Sequence, residues 1–94
     1  MKDYNDFLID YFDGDVWKLN CLGHICRMGE FTGADIYKYL KYIGTLRTSE
    51  IISFLFRNGY MIEPQERSQL YVTPKGEELY KEYETLYCNG GQER

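Results

Sequence analysis

The stretch "SQLYVTPKGEELYKEY", residues 68–83, restricts the folds open to this chain more than any other segment. Leu70 and Val72 alternate with Tyr71 and Thr73, a period of two that predicts a short strand. Thr73 can cap a helix whose first residue is Pro74, where the missing N–H costs nothing and the fixed φ suits a first turn. A strand therefore hands over to a helix within one residue.

The preceding segments extend the pattern. Tyr4, Phe7, Leu8, Tyr11 and Phe12 recur at helical spacing, so a short amphipathic helix is expected within residues 1–13, stopped by "DGD". Across 14–29, Val16, Leu19, Leu22, Ile25 and Cys26 form one stripe, widened by Trp17, Cys21 and Met28; Asp15 is the expected cap and Gly29 the stop. Thr32 opens a third helix with Ile36, Leu40 and Ile43 on one face, ended by Gly44. A fourth turns Ile51, Ile52, Leu55 and Phe56 inward and closes at Asn58-Gly59, which makes residues 32–58 a helix-turn-helix candidate. Then "YMIEP" and "QLYVT" flank a polar tip, a β-hairpin over 60–73, and a last helix over 73–88 carries Leu79, Tyr80, Tyr83, Leu86 and Tyr87. The fold class this predicts is mostly α with a small β-hairpin, a winged helix-turn-helix, in a single domain over residues 1–94.

Two segments resemble known winged-helix regulators. "IISFLFRNGYMIE" is similar to the end of the recognition helix and the first wing strand of the MarR, PadR and ArsR-like proteins. "LYVTPKGEELY" is similar to their second wing strand and the helix after it, and together the resemblance covers about residues 30–82. Small size and tyrosine content also resemble the stand-alone winged-helix proteins of crenarchaeal viruses, of the Sulfolobus turreted icosahedral virus type. The departures are a short wing with Glu66 beside Arg67 at its tip, and Glu50 and Phe54 on the recognition helix where relatives place basic or polar residues.

What the resemblance implies is a sequence-specific regulator of transcription that binds double-stranded DNA as a homodimer. Arg47 would bond guanine acceptors, with Thr45, Thr48, Ser49 and Ser53 donating to phosphates or bases. Lys38, Lys41 and Arg57 would lie near the backbone, and Arg67, with Ser68 and Gln69 beside it on the wing, would reach the adjacent groove. The competing explanation for each is a solvated charge or a helix cap. Phe7, Leu8 and Tyr11 of the first helix and Tyr80, Tyr83, Leu86, Tyr87 and Cys88 of the last offer more apolar surface than one small core needs, and are expected at the dimer interface. Such a dimer reads a pseudo-palindrome with half-sites about one helical turn apart.

The charge distribution bears on the DNA reading. The chain is net −4, yet residues 16–60 carry six basic against three acidic side chains while both ends are acidic. Acidic ends facing away from DNA reconcile the two. At 94 residues the chain buries roughly 60–65% of its unfolded surface, so a dimer partner would be welcome. No apolar run reaches membrane-spanning length and "MKDYNDFLIDYFDGD" is too acidic for a signal peptide, so an intracellular protein without a membrane role is expected.

Three cysteines without a CxxC indicate neither a disulfide framework nor a zinc ribbon. Cys21 and Cys26 lie roughly 7 Å or more apart along a helix rising about 1.5 Å per residue, too far to bridge each other. Cys88 near the chain end is either a free thiol or one half of an intersubunit disulfide. Cys21, His24 and Cys88 fall short of the paired ligand spacing of a closed zinc site, so no metal or cofactor is expected. No GxGxxG, P-loop, HExxH or GxSxG occurs, and a lone histidine leaves nucleophilic schemes without a base. Neither catalysis nor a small-molecule ligand is indicated. The alternative to DNA binding is a winged helix that docks a protein of the transcription or replication machinery, which the acidic surface and the tyrosines also fit.

Overall fold

The computed structural model describes residues 3–64 and 69–88. In chain order they form α1 (Tyr4–Phe12), α2 (Val16–Met28), β1 (Glu30–Thr32), α3 (Gly33–Tyr39), a 3-10 turn (Lys41–Ile43), α4 (Thr45–Arg57), β2 (Met61–Ile62), β3 (Gln69–Val72), α5 (Pro74–Tyr83) and a π-helical turn (Glu84–Cys88). The protein is mostly helical with a small antiparallel sheet.

Local chemistry sets the helix ends. Asp3 accepts from the Asp6 N–H and Asp15 from the Trp17 N–H, so both of the first two helices start on an aspartate cap. α3 opens on a full capping box: the Thr32 hydroxyl accepts from the Asp35 N–H at 3.2 Å, and the Asp35 carboxylate from the Thr32 N–H at 2.9 Å. α3 is shorter than expected, because the chain tightens into the 3-10 turn before Gly44, whose φ of +92° suits glycine.

The sheet has three strands in the order β1-β3-β2, one more than the expected hairpin. β1 pairs antiparallel with β3, Phe31 opposite Leu70, and β2 pairs with the other edge of β3, Met61 opposite Val72. Phe31, Leu70 and Met61 are all buried, so the sheet closes the core on one side. Against it lie Leu19, Leu22 and Ile25 of α2, Ile36 and Leu40 from α3 and its end, and Ile51 and Leu55 of α4.

Thr73, between β3 and α5, is a three-way joint. Its N–H donates to the Tyr60 carbonyl at 3.0 Å and its hydroxyl donates to the Gly59 carbonyl while accepting from the Gly76 N–H at 3.1 Å. It thus ties β3, the turn after α4 and the start of α5 together. Gly76 is needed there, since a Cβ on it would lie 2.6 Å from the Tyr60 carbonyl oxygen.

Two expectations for the core are corrected. Phe54 of α4 points inward at 3% exposure and touches Phe12 and Tyr60, whereas Phe56 is exposed. Phe7 and Leu8, expected at a dimer interface, are buried in this chain's own core. The reason is that α1 packs its aromatic face on the C-terminal helix. Phe7 lies 5.4 Å from Tyr87 and 6.2 Å from Tyr83, Tyr4 lies 5.8 Å from Tyr87, and the Tyr87 hydroxyl donates to the Asp3 carbonyl. Much of the aromatic surplus of the terminal helices is therefore used within one chain.

Candidate nucleic-acid interface

α4 is divided by its own periodicity. Thr48, Ile51, Phe54 and Leu55 are buried, and the opposite side leaves Leu46, Ser49, Glu50, Ser53 and Arg57 exposed. Lys18 of α2 joins these five to line a shallow groove of about 410 Å³. Its ammonium bonds Asp13 at 3.1 Å and lies 4.3 Å from the centre of the Phe54 ring, so α2 supplies a cation held at the edge of the α4 face.

The expected contact residues divide into three groups. Lys38, Lys41, Thr45, Ser49, Ser53 and Arg57 are exposed on α3, the 3-10 turn and α4. Arg47 is exposed but occupied: its guanidinium donates to Asp15 at 2.8 Å, while the other oxygen of that carboxylate caps α2. The pair is partly open to water and worth roughly 0–1 kcal/mol, and it ties Arg47 to the start of α2. Thr48 is a correction. At 1% exposure it donates to the Gly44 carbonyl at 2.8 Å, with the Leu40 carbonyl at 3.5 Å, and so braces the turn between α3 and α4 from within. Gln69 is half-buried in β3 opposite Thr32, and Arg67 and Ser68 lie outside the described residues.

Sequence reasoning missed Leu46, Tyr42 and Lys18. Leu46 is 77% and Tyr42 87% exposed, an apolar pair at the start of α4 and in the turn before it. The signal for Leu46 was available: with Thr48 counted as inward, positions 46, 49, 50, 53 and 57 fall together on the outer side. Lys18 is brought to the groove by packing of α2 on α4, which no local pattern announces.

Of the residues expected at a dimer interface, Tyr11, Tyr80, Tyr83, Leu86, Tyr87 and Cys88 remain half-exposed. A hydrogen bond with Cys88 and, after it, burial push the Tyr83 phenol up. Cys21, Cys26 and Cys88 are free thiols. Burial raises Cys21 to about 12, and burial with Glu77 and Glu84 nearby raises Cys26 to about 11. His24 stacks on Tyr39 at 3.9 Å, nearly parallel, and burial followed by the Arg27 charge lowers its pKa. Among the described residues no group of three or more His, Cys, Asp or Glu side chains is placed to hold a metal ion, and no helix is long and apolar enough to cross a membrane.

Comparison with protein-family models, with curated proteins and with solved structures finds no match for this chain.

Proposed function

We propose that this chain is a winged helix-turn-helix protein that binds double-stranded DNA as a homodimer and regulates transcription. In this reading α3 and α4 form the helix-turn-helix, α4 enters the major groove, and β2 and β3 are the stem of the wing. One observation carries it: α4 buries one side completely and keeps on the other a narrow strip of hydroxyls, one leucine, one carboxylate and Arg57, edged by Lys18. No side chain caps the α4 amino terminus, so its first-turn N–H groups are open to a phosphate. Lys38 and Lys41, exposed on the preceding helix and turn, supply further cations. Dimerisation would use the half-exposed Tyr80, Tyr83, Leu86, Tyr87 and Cys88 with Tyr11, which a two-fold partner would cover.

The test is fluorescence anisotropy of random-pool duplexes at two salt concentrations, with sedimentation to follow the oligomer. Binding should weaken with salt at a slope of roughly −0.9 per phosphate neutralised and tighten on a subset of sequences. No binding to any duplex at low salt refutes the reading. The exposure of Tyr42 and Leu46 favours a second one, a docking module for a protein of the transcription or replication machinery. That interface, being apolar, would hold its affinity as salt rises.

A further inference from the structure

Within the DNA-binding reading, on which this inference rests, we propose that α4 selects its site through Glu50 and Leu46 rather than through Arg47. Glu50 accepts from the N4 amino group of a cytosine, and Leu46 packs on the methyl group of a nearby thymine. Arg47 stays on Asp15 and orients the helix.

Between residues 45 and 53 the outer side of α4 carries no free cation. Arg47 is bound to Asp15 and Lys18 to Asp13, and Arg57, the last residue of α4, lines the groove together with Lys18, Leu46, Ser49, Glu50 and Ser53. A carboxylate inserted between two rows of phosphates is repelled unless a base donates to it. The major groove offers two kinds of donor, the cytosine N4 and adenine N6 amino groups. Adenine presents its N7 acceptor beside N6, which faces a carboxylate with like partial charge, so cytosine is the better partner. Leu46, 77% exposed, has one apolar counterpart in the groove, the thymine methyl.

The spacing agrees. Leu46 and Glu50 are one turn apart on the same side, about 5–6 Å between Cβ atoms. Bases follow one another by about 3.4 Å along a strand, so the two side chains reach base pairs that are neighbours or next but one. Ser49 and Ser53 beside them then bond bases or phosphates of either type without adding selectivity.

The experiment selects duplexes from a random pool with the full chain and with its Glu50→Gln and Arg47→Ala variants, then titrates single-base changes of the selected site by anisotropy. Both substituted side chains are exposed, and circular dichroism confirms that each variant is folded. Replacing the contacted cytosine pair should weaken the natural chain roughly five- to a hundredfold, and Glu50→Gln should remove most of that penalty. Deoxyuridine in place of the thymine should weaken the natural chain but leave a Leu46→Ala variant unchanged. If Glu50→Gln binds all duplexes tighter by one common factor, Glu50 merely repels phosphate and the inference fails while DNA binding stands. Loss of base preference in Arg47→Ala with none in Glu50→Gln also overturns it. If the natural chain binds no duplex, inference and function fall together, and the Leu46 surface belongs to a protein partner.

Discussion

Replacing Gly76 by alanine would put a methyl group into the tightest backbone contact of the fold. Its Cβ would sit 2.6 Å from the Tyr60 carbonyl oxygen and 3.2 Å from the Tyr60 Cα and Cβ. To reach even 3.0 Å, the lower end of real contacts, the first turn of α5 must move off Tyr60 by about 0.4 Å. Neither side is free to yield, because the same oxygen accepts from Thr73 and the Tyr60 ring packs beside Phe12 and Phe54. Overpacking costs about 1–3 kcal/mol and, against backbone that cannot yield, about 2–3 kcal/mol here, of which alanine returns about 1 kcal/mol in helix propensity. The expected net loss is about 1–2 kcal/mol, a fall in Tm of roughly 4–16 °C for a domain of this size, read by thermal or urea unfolding. Gly33→Ala is the control. Nothing lies within 4 Å of its Cβ position at the start of α3, so it should gain about 0.4–1 kcal/mol. For Gly23→Ala the three nearest atoms all belong to the outer end of the Tyr80 ring, a side chain rather than backbone, and the variant should fall between the two. A Gly76→Ala variant as stable as the natural chain would refute the packing of α5 on the turn after α4.

Three further outcomes are expected. Thr48→Val should lower stability by about 0.5–1.5 kcal/mol in urea unfolding while leaving the binding proposed for the outer side of α4 unchanged, since its hydroxyl serves the Gly44 carbonyl and faces away from that side. Cys21, with no exposure and a pKa raised to about 12, should react with a thiol reagent at pH 8 only on unfolding, whatever the half-exposed cysteines do. His24 has its pKa lowered in the folded state, so its contribution to stability is present above the unfolded value near 6.5 and is lost as pH falls through the folded value. His24→Gln should flatten that part of the pH profile in chemical unfolding.

The helix ends were legible because capping chemistry is local: Asp15, Thr32 and Thr73 sit where their hydrogen bonds are made. The inward side of α4 was misplaced for a reason that can be stated. A stripe of Ile51, Ile52, Leu55 and Phe56 leaves out Thr48, but a hydroxyl bonded four residues back can be buried, and the stripe then centres on Ile51 and takes in Phe54. β1 was invisible because three residues, Glu30–Thr32, carry too little pattern and pair with a strand some forty positions later. The terminal aromatics showed a surplus of apolar surface, but composition does not say whether one chain or two will cover it. On the candidate interface, the exposed hydroxyls and Arg57 were expected only through the resemblance to winged-helix regulators. The Asp15 tie to Arg47 and the place of Lys18 depend on how α2 meets α4.

The pairing of β1 with β3 also bears on how the chain comes into being. Phe31 lies opposite Leu70, and among the described residues β1 pairs with β3 alone. At about 5–20 residues per second, a ribosome makes Leu70 roughly 2–8 seconds after Phe31. Until then β1 lacks the strand it pairs with, and the side of the core that the sheet closes carries a bare strand edge. The edge is covered only when β3 arrives, so the strand that joins β1 to β2 is the one that closes the sheet.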